Sequence, residues 1–232
     1  MKEQAGLPDL HFVLVHGACH GAWCWFKIRS LMETSGYKVT CLDLKSAGID
    51  QSNPNTILTL MNTTRPLPTS SQVILVGHSA GGLSLTDAIH RFAKKIRVAI
   101  YVAANMLRHG FSTDQDIKDP PTSIIIKEEF QKRLLYQLSP KEDTALASLL
   151  LRPGPVRAFK GARFEGGKDA DSVPRIYIKT LHDQMLKPMK QEQMIKRWQP
   201  CQVLVLESDH SPFFSTPRLL FDLISKGAAA SF

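Results

Sequence analysis

Short apolar runs that alternate with helical patterns are the feature that most restricts the fold of this chain. The runs Val-Ile-Leu-Val and Val-Leu-Val-Leu are apolar at every position. A strand with one solvent-exposed face would instead alternate apolar and polar residues. Both faces of the sheet are therefore expected to be covered. Strands and helices that alternate along a chain predict an α/β fold, with a mostly parallel central sheet flanked by helices.

The strand patterns cover six stretches, at residues 11–15, 37–43, 72–76, 97–103, 175–179 and 202–207. Helical patterns cover residues 22–35, 81–94 and 217–226, and each follows a strand pattern. Residues 108–171 interrupt this alternation with two more helical patterns, at 127–137 and 140–151, between closely spaced prolines. We interpret that interval as a helical cap inserted into a single domain of residues 1–232. Residues 48–71 hold three prolines and are expected to be mostly loop.

Length and composition agree with one soluble globular domain. The chain has 232 residues, of which 43% are hydrophobic and 22% charged, and this is enough for one sizeable core. The net charge of +8 comes from scattered basic residues without an aromatic stacking motif, so we expect no nucleic-acid partner. No apolar run reaches the roughly 20 residues that span a bilayer. We therefore expect a cytoplasmic protein with no membrane partner and with its four cysteines reduced.

The strongest chemical signal is the turn Gly77-His78-Ser79-Ala80-Gly81. It matches the pattern G-x-S-x-G and lies between a predicted strand and a predicted helix, the context in which this pattern presents a nucleophilic serine. Glycines at both ends let strand and helix pack closely, and Ser79 falls at a helix N-terminus, where developing negative charge is favoured. The alternative is a glycine-rich turn with an incidental serine.

A nucleophilic serine needs a base and an acid that orients the base, and on this kind of sheet they follow in the order serine, acid, histidine. His210 follows the last predicted strand, and Asp183 follows the one before it, so both are expected at the carboxyl edge of the sheet. Asp209 is adjacent to His210 and is therefore poorly placed to accept from its Nδ1. Glu207 is the reserve acid, and a polar loop histidine is the alternative reading of His210.

Two backbone N–H groups are expected to bind the oxyanion of an acyl-transfer reaction. One belongs to Ala80, directly after the nucleophile, and the other to Ala18, in the loop after the first strand. His16 and His20 could instead form a metal-binding pair, but their spacing requires a helix, and glycines flank this segment. We expect no metal there. Cys19, which has no base beside it, is interpreted as a small apolar wall rather than a nucleophile.

Five segments resemble the plant methylesterase branch of the α/β-hydrolases, which also includes hydroxynitrile lyases. Three are His-Phe-Val-Leu-Val-His-Gly-Ala-Cys-His-Gly-Ala-Trp-Cys-Trp from residue 11, Val-Ile-Leu-Val-Gly-His-Ser-Ala-Gly-Gly from residue 73 and Ser-Asp-His-Ser-Pro-Phe-Phe-Ser from residue 208. The segments at residues 150–159 and 176–180 look closest to the subgroup that cleaves methyl indole-3-acetate. Together they extend the resemblance over nearly the whole chain.

The resemblance implies the α/β-hydrolase fold. It also implies the same site that was inferred above from the motifs and their positions in the chain. Carried over by motif, the catalytic residues are Ser79, Asp183 and His210, and the oxyanion donors are Ala18 and Ala80. It implies a carboxylesterase without cofactor or metal that hydrolyses a small apolar methyl ester. Methyl indole-3-acetate is the first choice, and methyl jasmonate and methyl salicylate are its neighbours. A homodimer is left open.

The chain departs from the family pattern at several places. Residues 49–72 and 110–120 look shorter than in the family, which affects the start of the cap and hence the shape of the acyl pocket. Related cyanohydrin lyases look to carry a threonine and a lysine where this chain has Gly17 and Ser211. We expect these two residues, with His78, to line the substrate. A lyase on the same residues and a non-catalytic ligand-binding homologue are the alternative functions.

Overall fold

The computed structural model describes residues 10–60, 72–111, 121–165, 167 and 169–230. Its strands are β1 (His11–Val15), β2 (Lys38–Leu42), β3 (Val73–His78), β4 (Ile96–Val102), β5 (Arg175–Thr180) and β6 (Gln202–Leu206). They form one sheet in the order β2-β1-β3-β4-β5-β6, and every neighbouring pair is parallel. The predicted α/β fold with a parallel sheet is confirmed.

The α-helices of the described residues follow the predicted alternation. They are α1 (Phe26–Thr34), α2 (Gly81–Phe92), α3 (Glu128–Leu134), α4 (Lys141–Leu150), α5 (Val156–Lys160), α6 (Pro188–Arg197), α7 (Pro212–Ser215) and α8 (Pro217–Ala229). None of the helices in this described part of the chain combines the length and apolar character needed to cross a membrane.

Alternate side chains of each central strand enter cores on opposite faces of the sheet, as the twofold periodicity of a strand requires. Phe12 and Leu14 join the core that contains α1 and α8, with Ile28 among its helix residues. Val13 joins the opposite core, where Leu85 of α2 packs. Fully apolar strands such as β3 are thus buried on both faces.

The expectation that both faces are covered is wrong for β6. Val203 and Val205 are 42% and 53% exposed, although their run is as apolar as that of β3. The strand lies at the edge of the sheet, where α8 packs only on the face to which Leu204 and Leu206 point. The position of a strand in the sheet, which its own residues do not encode, decides how much of it is covered.

Several predicted helix boundaries need correction. The helix expected at residues 22–35 is a 3₁₀ turn over Ala22–Trp25 that leads into α1. The helix expected at residues 81–94 ends at Phe92, with a 3₁₀ turn after it. The short helices α5 and α7 and the ten-residue α6 were not predicted. Each begins at or directly after a proline, a residue that blocks a helix interior but is favoured in the first turn.

Three helices, α3 to α5, lie between β4 and β5 in the chain, where the cap was expected. Two isolated antiparallel bridges, Gly110 with Arg163 and Ile124 with Gly154, hold the ends of this region together. Parts of the segments that look shortened, residues 61–71 and 112–120, lie outside the described residues. In residues 49–60 the chain forms only short 3₁₀ turns and loop, in agreement with the predicted loop.

Candidate active site

Ser79 lies on the sharp turn that joins β3 to α2. Its φ of +51° is in the left-handed region, which non-glycine residues rarely adopt. The strained turn is held on both sides of the residue, because Ser79 N–H donates to the Val102 carbonyl at 3.3 Å and Asn105 N–H donates to the Ser79 carbonyl at 2.9 Å. Backbone strain that the surrounding structure maintains in this way is typical of a functional position.

Glycine at position 81 lets the helix approach the neighbouring strand. A Cβ there would lie 2.5 Å from the His16 carbonyl oxygen and 2.8 Å from that of Val15. These are backbone atoms, which cannot give way as the end of a side chain could. The second glycine of the G-x-S-x-G turn is therefore required by close packing of α2 against β1, and this packing places the start of α2 next to the loop after β1.

The predicted nucleophile, base and acid form one chain of hydrogen bonds. His210 Nε2 lies 3.0 Å from Ser79 Oγ, and His210 Nδ1 lies 2.7 Å from Asp183 Oδ2. A carboxylate only accepts, so Nδ1 carries the proton and Nε2 is free to accept from the serine. His210 and Asp183 are almost fully buried. The arrangement can therefore remove the proton from Ser79 and hold it on the imidazole.

Asp183 is oriented by hydrogen bonds from its own loop, from the end of β5 and from α6. Its Oδ1 accepts from the N–H groups of Met185 and Leu186 at 2.8 and 2.7 Å. Its Oδ2 accepts from Thr180 Oγ1 at 3.2 Å and from Gln191 Nε2 at 3.3 Å, in addition to the histidine. Gln191 lies on α6, so sequence reasoning missed it along with that helix. The proline at the start of α6 and the buried positions Gln191 and Met194, three residues apart, were the available signal.

His78 and Gly17, two of the positions expected to line the substrate, pack directly against His210 and Ser79. His78 is fully buried, and its Nε2 lies 2.7 Å from the His210 carbonyl oxygen. Burial lowers the pKa of His78 well below its ordinary value, so the ring is neutral. A Cβ at Gly17 would lie 2.8 Å from Ser79 Cβ and 2.9 Å from His78 Nδ1. Gly17 therefore has no room for a side chain, and the substrate-binding role of both residues stays a prediction.

The peptide group between Gly17 and Ala18, whose N–H is the predicted oxyanion donor, is oriented by His16. The Nδ1 of His16 donates to the Gly17 carbonyl at 2.8 Å, and its Nε2 accepts from Leu44 N–H at 3.1 Å. The ring is buried, and burial lowers its pKa, so it keeps one donor and one acceptor. The direction in which Ala18 N–H points thus depends on a neutral, fully bonded histidine.

His20 is also fully bonded rather than open to a metal. Its Nδ1 donates to the Ala18 carbonyl at 3.0 Å, and its Nε2 accepts from the Tyr136 hydroxyl at 2.7 Å. Burial lowers its pKa to about 3. Among the described residues no group of three metal-ligating side chains is present. The Cys19 thiol donates to the Ile124 carbonyl at 3.2 Å and burial raises its pKa, which suits the predicted wall position.

The other acids near His210 face elsewhere. Glu207, the reserve acid, pairs with His182 at 2.6 Å, and both side chains are exposed. The carboxylate of Asp209 accepts from other donors, described below, and does not bond the imidazole of His210. Ser211, the third position expected to line the substrate, is fully buried, and its N–H donates to Asp209 at 2.9 Å. Contact of Ser211 with a substrate stays a prediction.

A parallel sheet that presents a serine on a tight strand-to-helix turn, bonded to a histidine and an aspartate, is the arrangement of the α/β hydrolases. The sequence profile of the alpha/beta hydrolase family matches residues 12–223, and the chain belongs to this family. Within it the chain is similar to Methylesterase 17 of Arabidopsis thaliana, at 48% identity over 95% of this chain and 92% of that protein. It is an esterase of the plant methylesterase kind.

Other comparisons agree with this assignment. The pheophorbidase of Raphanus sativus is 42% identical over 95% of each chain. The crystal structure of the methylesterase MES16 from Arabidopsis superposes with a TM-score of 0.88, at 41% identity, over 95% of this chain and 99% of that one. The alignment with Methylesterase 17 spans 253 positions, which exceeds the 232 residues of this chain. That relative therefore carries residues that this chain lacks, and shortening at residues 49–72 and 110–120 stays a prediction.

Proposed function

We propose that the chain hydrolyses small methyl esters, methyl indole-3-acetate first among them, with Ser79 as nucleophile, His210 as general base and Asp183 as the acid that orients it. The observation that carries the catalytic part is the hydrogen-bonded series from Ser79 Oγ through His210 to Asp183. The choice of substrate rests on the resemblance of residues 150–159 and 176–180 to methyl indole-3-acetate esterases.

In the first half of the reaction Ser79 Oγ attacks the ester carbonyl carbon while its proton passes to His210 Nε2. Asp183 stays ionised, accepts from Nδ1 and stabilises the imidazolium that forms. The tetrahedral intermediate then expels the methoxy group, which takes the proton from Nε2 and departs as methanol. The products of this half are methanol and an acyl group bound to Ser79 through an ester bond.

The second half returns the enzyme to its starting state. Water attacks the acyl carbon while His210 Nε2 takes one of its protons. The bond to Ser79 Oγ breaks, and the proton moves from Nε2 to that oxygen, so the carboxylic acid leaves and the serine hydroxyl is restored. In both halves the carbonyl oxygen carries negative charge, which the N–H groups of Ala18 and Ala80 are proposed to bind.

Substrate choice is tested by a hydrolysis panel of methyl indole-3-acetate, methyl jasmonate and methyl salicylate. Because a relative is named pheophorbidase, pheophorbide is added to the panel. We expect the highest kcat/KM for methyl indole-3-acetate, and turnover of every ester lower by about 10⁴-fold or more in Ser79→Ala. A higher kcat/KM for another member of the panel would refute the substrate but keep the esterase mechanism. Full turnover by Ser79→Ala would refute the mechanism.

At the position where the related cyanohydrin lyases look to carry a lysine, this chain has Ser211 and so lacks that positive charge for departing cyanide. Cyanide leaves as an anion and needs a fixed positive charge in a dry site, whereas Ser211 offers only a neutral hydroxyl. Gly17 offers no side chain to orient a substrate hydroxyl, and Ser79 and His78 occupy the space that one would need. We expect negligible cleavage of mandelonitrile under conditions in which methyl esters are hydrolysed. Cyanide release without ester turnover would favour the lyase.

A further inference from the structure

Four consecutive residues of the cap, Tyr136–Ser139, contact three loops that carry the active site. We call these four residues the clasp. The loops are the oxyanion loop (residues 16–21), the acid loop (residues 181–186) and the base loop (residues 207–211). The clasp lies between α3 and α4, far from every one of these loops in sequence. Its polar groups bond each loop in turn.

The first contact of the clasp is with the oxyanion loop. Tyr136 is fully buried, and its hydroxyl donates to His20 Nε2 at 2.7 Å. His20 Nδ1 in turn donates to the Ala18 carbonyl at 3.0 Å. Since burial keeps His20 neutral, one ring nitrogen accepts while the other donates. The cap thereby fixes the backbone next to the predicted oxyanion donor.

The second contact is with the acid loop. Gln137 Nε2 donates to the His182 carbonyl, in the residue directly before Asp183. His182 N–H also donates to the Ser208 carbonyl at 3.0 Å, which ties the acid loop to the base loop. A shift of Gln137 would therefore displace the acid loop directly and the base loop through it.

The third contact is the densest, and it converges on Asp209, the neighbour of His210. One carboxylate oxygen of Asp209 accepts from Leu138 N–H and Ser139 Oγ of the clasp, both at 2.9 Å. The other accepts from Ser211 N–H at 2.9 Å and Ser215 Oγ at 2.8 Å. The side chain is fully buried, and all four of these donors are neutral. A buried carboxylate with two oxygens shared between the cap and the base loop joins the two rigidly.

We propose that Asp209 is a positioning residue for His210, and that it sets the base against Ser79 through the clasp. This inference rests on the proposed roles of Ser79 and His210. Sub-ångström placement matters for such a pair, since a misplacement of about 1 Å can reduce a rate by about 10²-fold. Asp209 is held at both oxygens and is covalently adjacent to the base, so its contacts control where the imidazole lies.

A matched control exists elsewhere in the cap. Asp143 on α4 is a second buried carboxylate, and it pairs with Lys27 of α1. This pair attaches the cap to the body of the protein, but it lies outside the three loops. If the cap needed only to be attached, loss of Asp143 and loss of Asp209 would act alike. If Asp209 positions the base, only its loss slows the chemistry.

The experiment compares Asp209→Asn, Asp143→Asn and wild type with a serine-directed phosphonylating reagent. The amount of Ser79 labelled at the end counts folded active sites, and the rate constant of labelling reports how well the serine is activated. Irreversibly unfolded protein lowers the first and leaves the second, and the assay is run where the folded fraction measured by urea titration is close to one. We expect Asp209→Asn to lower the rate constant and kcat per labelled site by about 10- to 100-fold, with KM nearly unchanged. We expect Asp143→Asn to stay within about twofold of wild type.

The outcomes for the positioning role of Asp209 differ from those for the proposed role of Ser79 as nucleophile. A wild-type rate constant in Asp209→Asn, or equal slowing in both variants, would overturn the positioning role. Should Asp209→Asn fail to fold, Ser139→Ala, which removes one of the four donors, replaces it and is expected to slow labelling in the same direction by a smaller factor. Labelling that persists in Ser79→Ala would instead refute the assignment of the nucleophile.

Discussion

The turn that carries Ser79 and the clasp of the cap both lie at the candidate active site, but different interactions hold them in place. The turn is held by backbone hydrogen bonds to Val102 and Asn105 and by glycine-mediated contact between backbones. The clasp is held by side chains, chiefly those of Tyr136 and Ser139, which bond loops distant in sequence. The residue types that such a turn needs lie within its own few positions, although Val102 and Asn105, which hold it, are distant in sequence. A side-chain clasp requires partners that only the folded chain assembles.

The cap is nevertheless not a separate unit. Leu135, Tyr136, Ala147 and Leu151 are buried in the same core as the α1 face of the sheet. Apolar burial attaches the cap, and the polar contacts of the clasp determine its orientation over the loops. We therefore expect changes in the turn to affect chemistry alone, changes in cap attachment to affect stability alone, and changes where the two meet to affect both.

The largest expected effect is that of Ser79→Ala, in the turn. Its loss should lower ester turnover by about 10⁴-fold or more, because no other described group is placed to replace the nucleophile. The midpoint of thermal unfolding should stay within a few degrees of wild type, because the side chain adds little packing. Turnover with purified protein and calorimetry check the two parts. Loss of the fold with the activity would mean that the turn is not a purely chemical element.

Gly17→Ala comes next, because it moves the oxyanion loop without touching a reacting atom. The added Cβ would lie 2.8 Å from Ser79 Cβ, so the loop must shift away and carry the N–H of Ala18 with it. Displacing this proposed oxyanion donor should lower kcat by about 10²- to 10³-fold. The matched control is Gly161→Ala in the cap, where φ is −78° and only the Arg157 carbonyl is near. Equal loss of kcat in both variants would contradict this difference.

Asp143→Asn tests the attachment of the cap. The carboxylate is buried, and its neutralisation leaves Lys27 without its partner, so the free energy of unfolding should fall by about 1–3 kcal/mol. Urea titration measures this, with Asp222→Asn on the exposed side of α8 as a control expected to change stability by less than about 0.5 kcal/mol. If the two variants are equally stable, the Lys27 pair does not secure the cap.

The smallest effect is a pH dependence at the boundary between the two regions. Burial lowers the pKa of His16 and His78, and lowers that of His20 to about 3. Below about pH 6.5 these histidines bind protons in the unfolded chain but stay neutral in the folded protein. Their contribution to the free energy of unfolding is therefore fully present above that pH and is lost as the pH falls. His20, whose pKa lies well outside this window, contributes up to about 1.4 kcal/mol per pH unit between about pH 6 and pH 5, and His16 and His78 act in the same direction.

The variant His20→Gln measures how much His20 alone contributes to the slope of unfolding free energy against pH. Glutamine does not titrate, so the slope of unfolding free energy against pH in this window should decrease by up to about 1.4 kcal/mol per pH unit. Urea titrations at about pH 7.5, 6 and 5 give the slope independently of any constant loss of stability. An unchanged slope would show that His20 is protonated in the folded protein and that its bond to Tyr136 is not that of a neutral ring.

Much of the candidate site could be predicted from the sequence because its signals are local. Ser79 is marked by flanking glycines between a strand and a helix, and His210 and Asp183 each follow a strand of a parallel sheet, whose carboxyl ends lie at one edge. Each inference needed only the strand pattern and a few neighbouring residues. The same reasoning missed Gln191, which lies on a helix whose apolar pattern is short.

What only the tertiary structure decided are relations between distant residues. Asp209 was set aside as the acid beside His210, and its sequence neighbours say nothing of the cap residues Leu138 and Ser139 that bond it. Likewise the run of β6 looks as buried as that of β3, yet only its place at the sheet edge leaves Val203 exposed. Local sequence determines backbone conformation and the chemistry of a turn, because these depend on near neighbours. Which side chains then meet depends on how the whole chain packs.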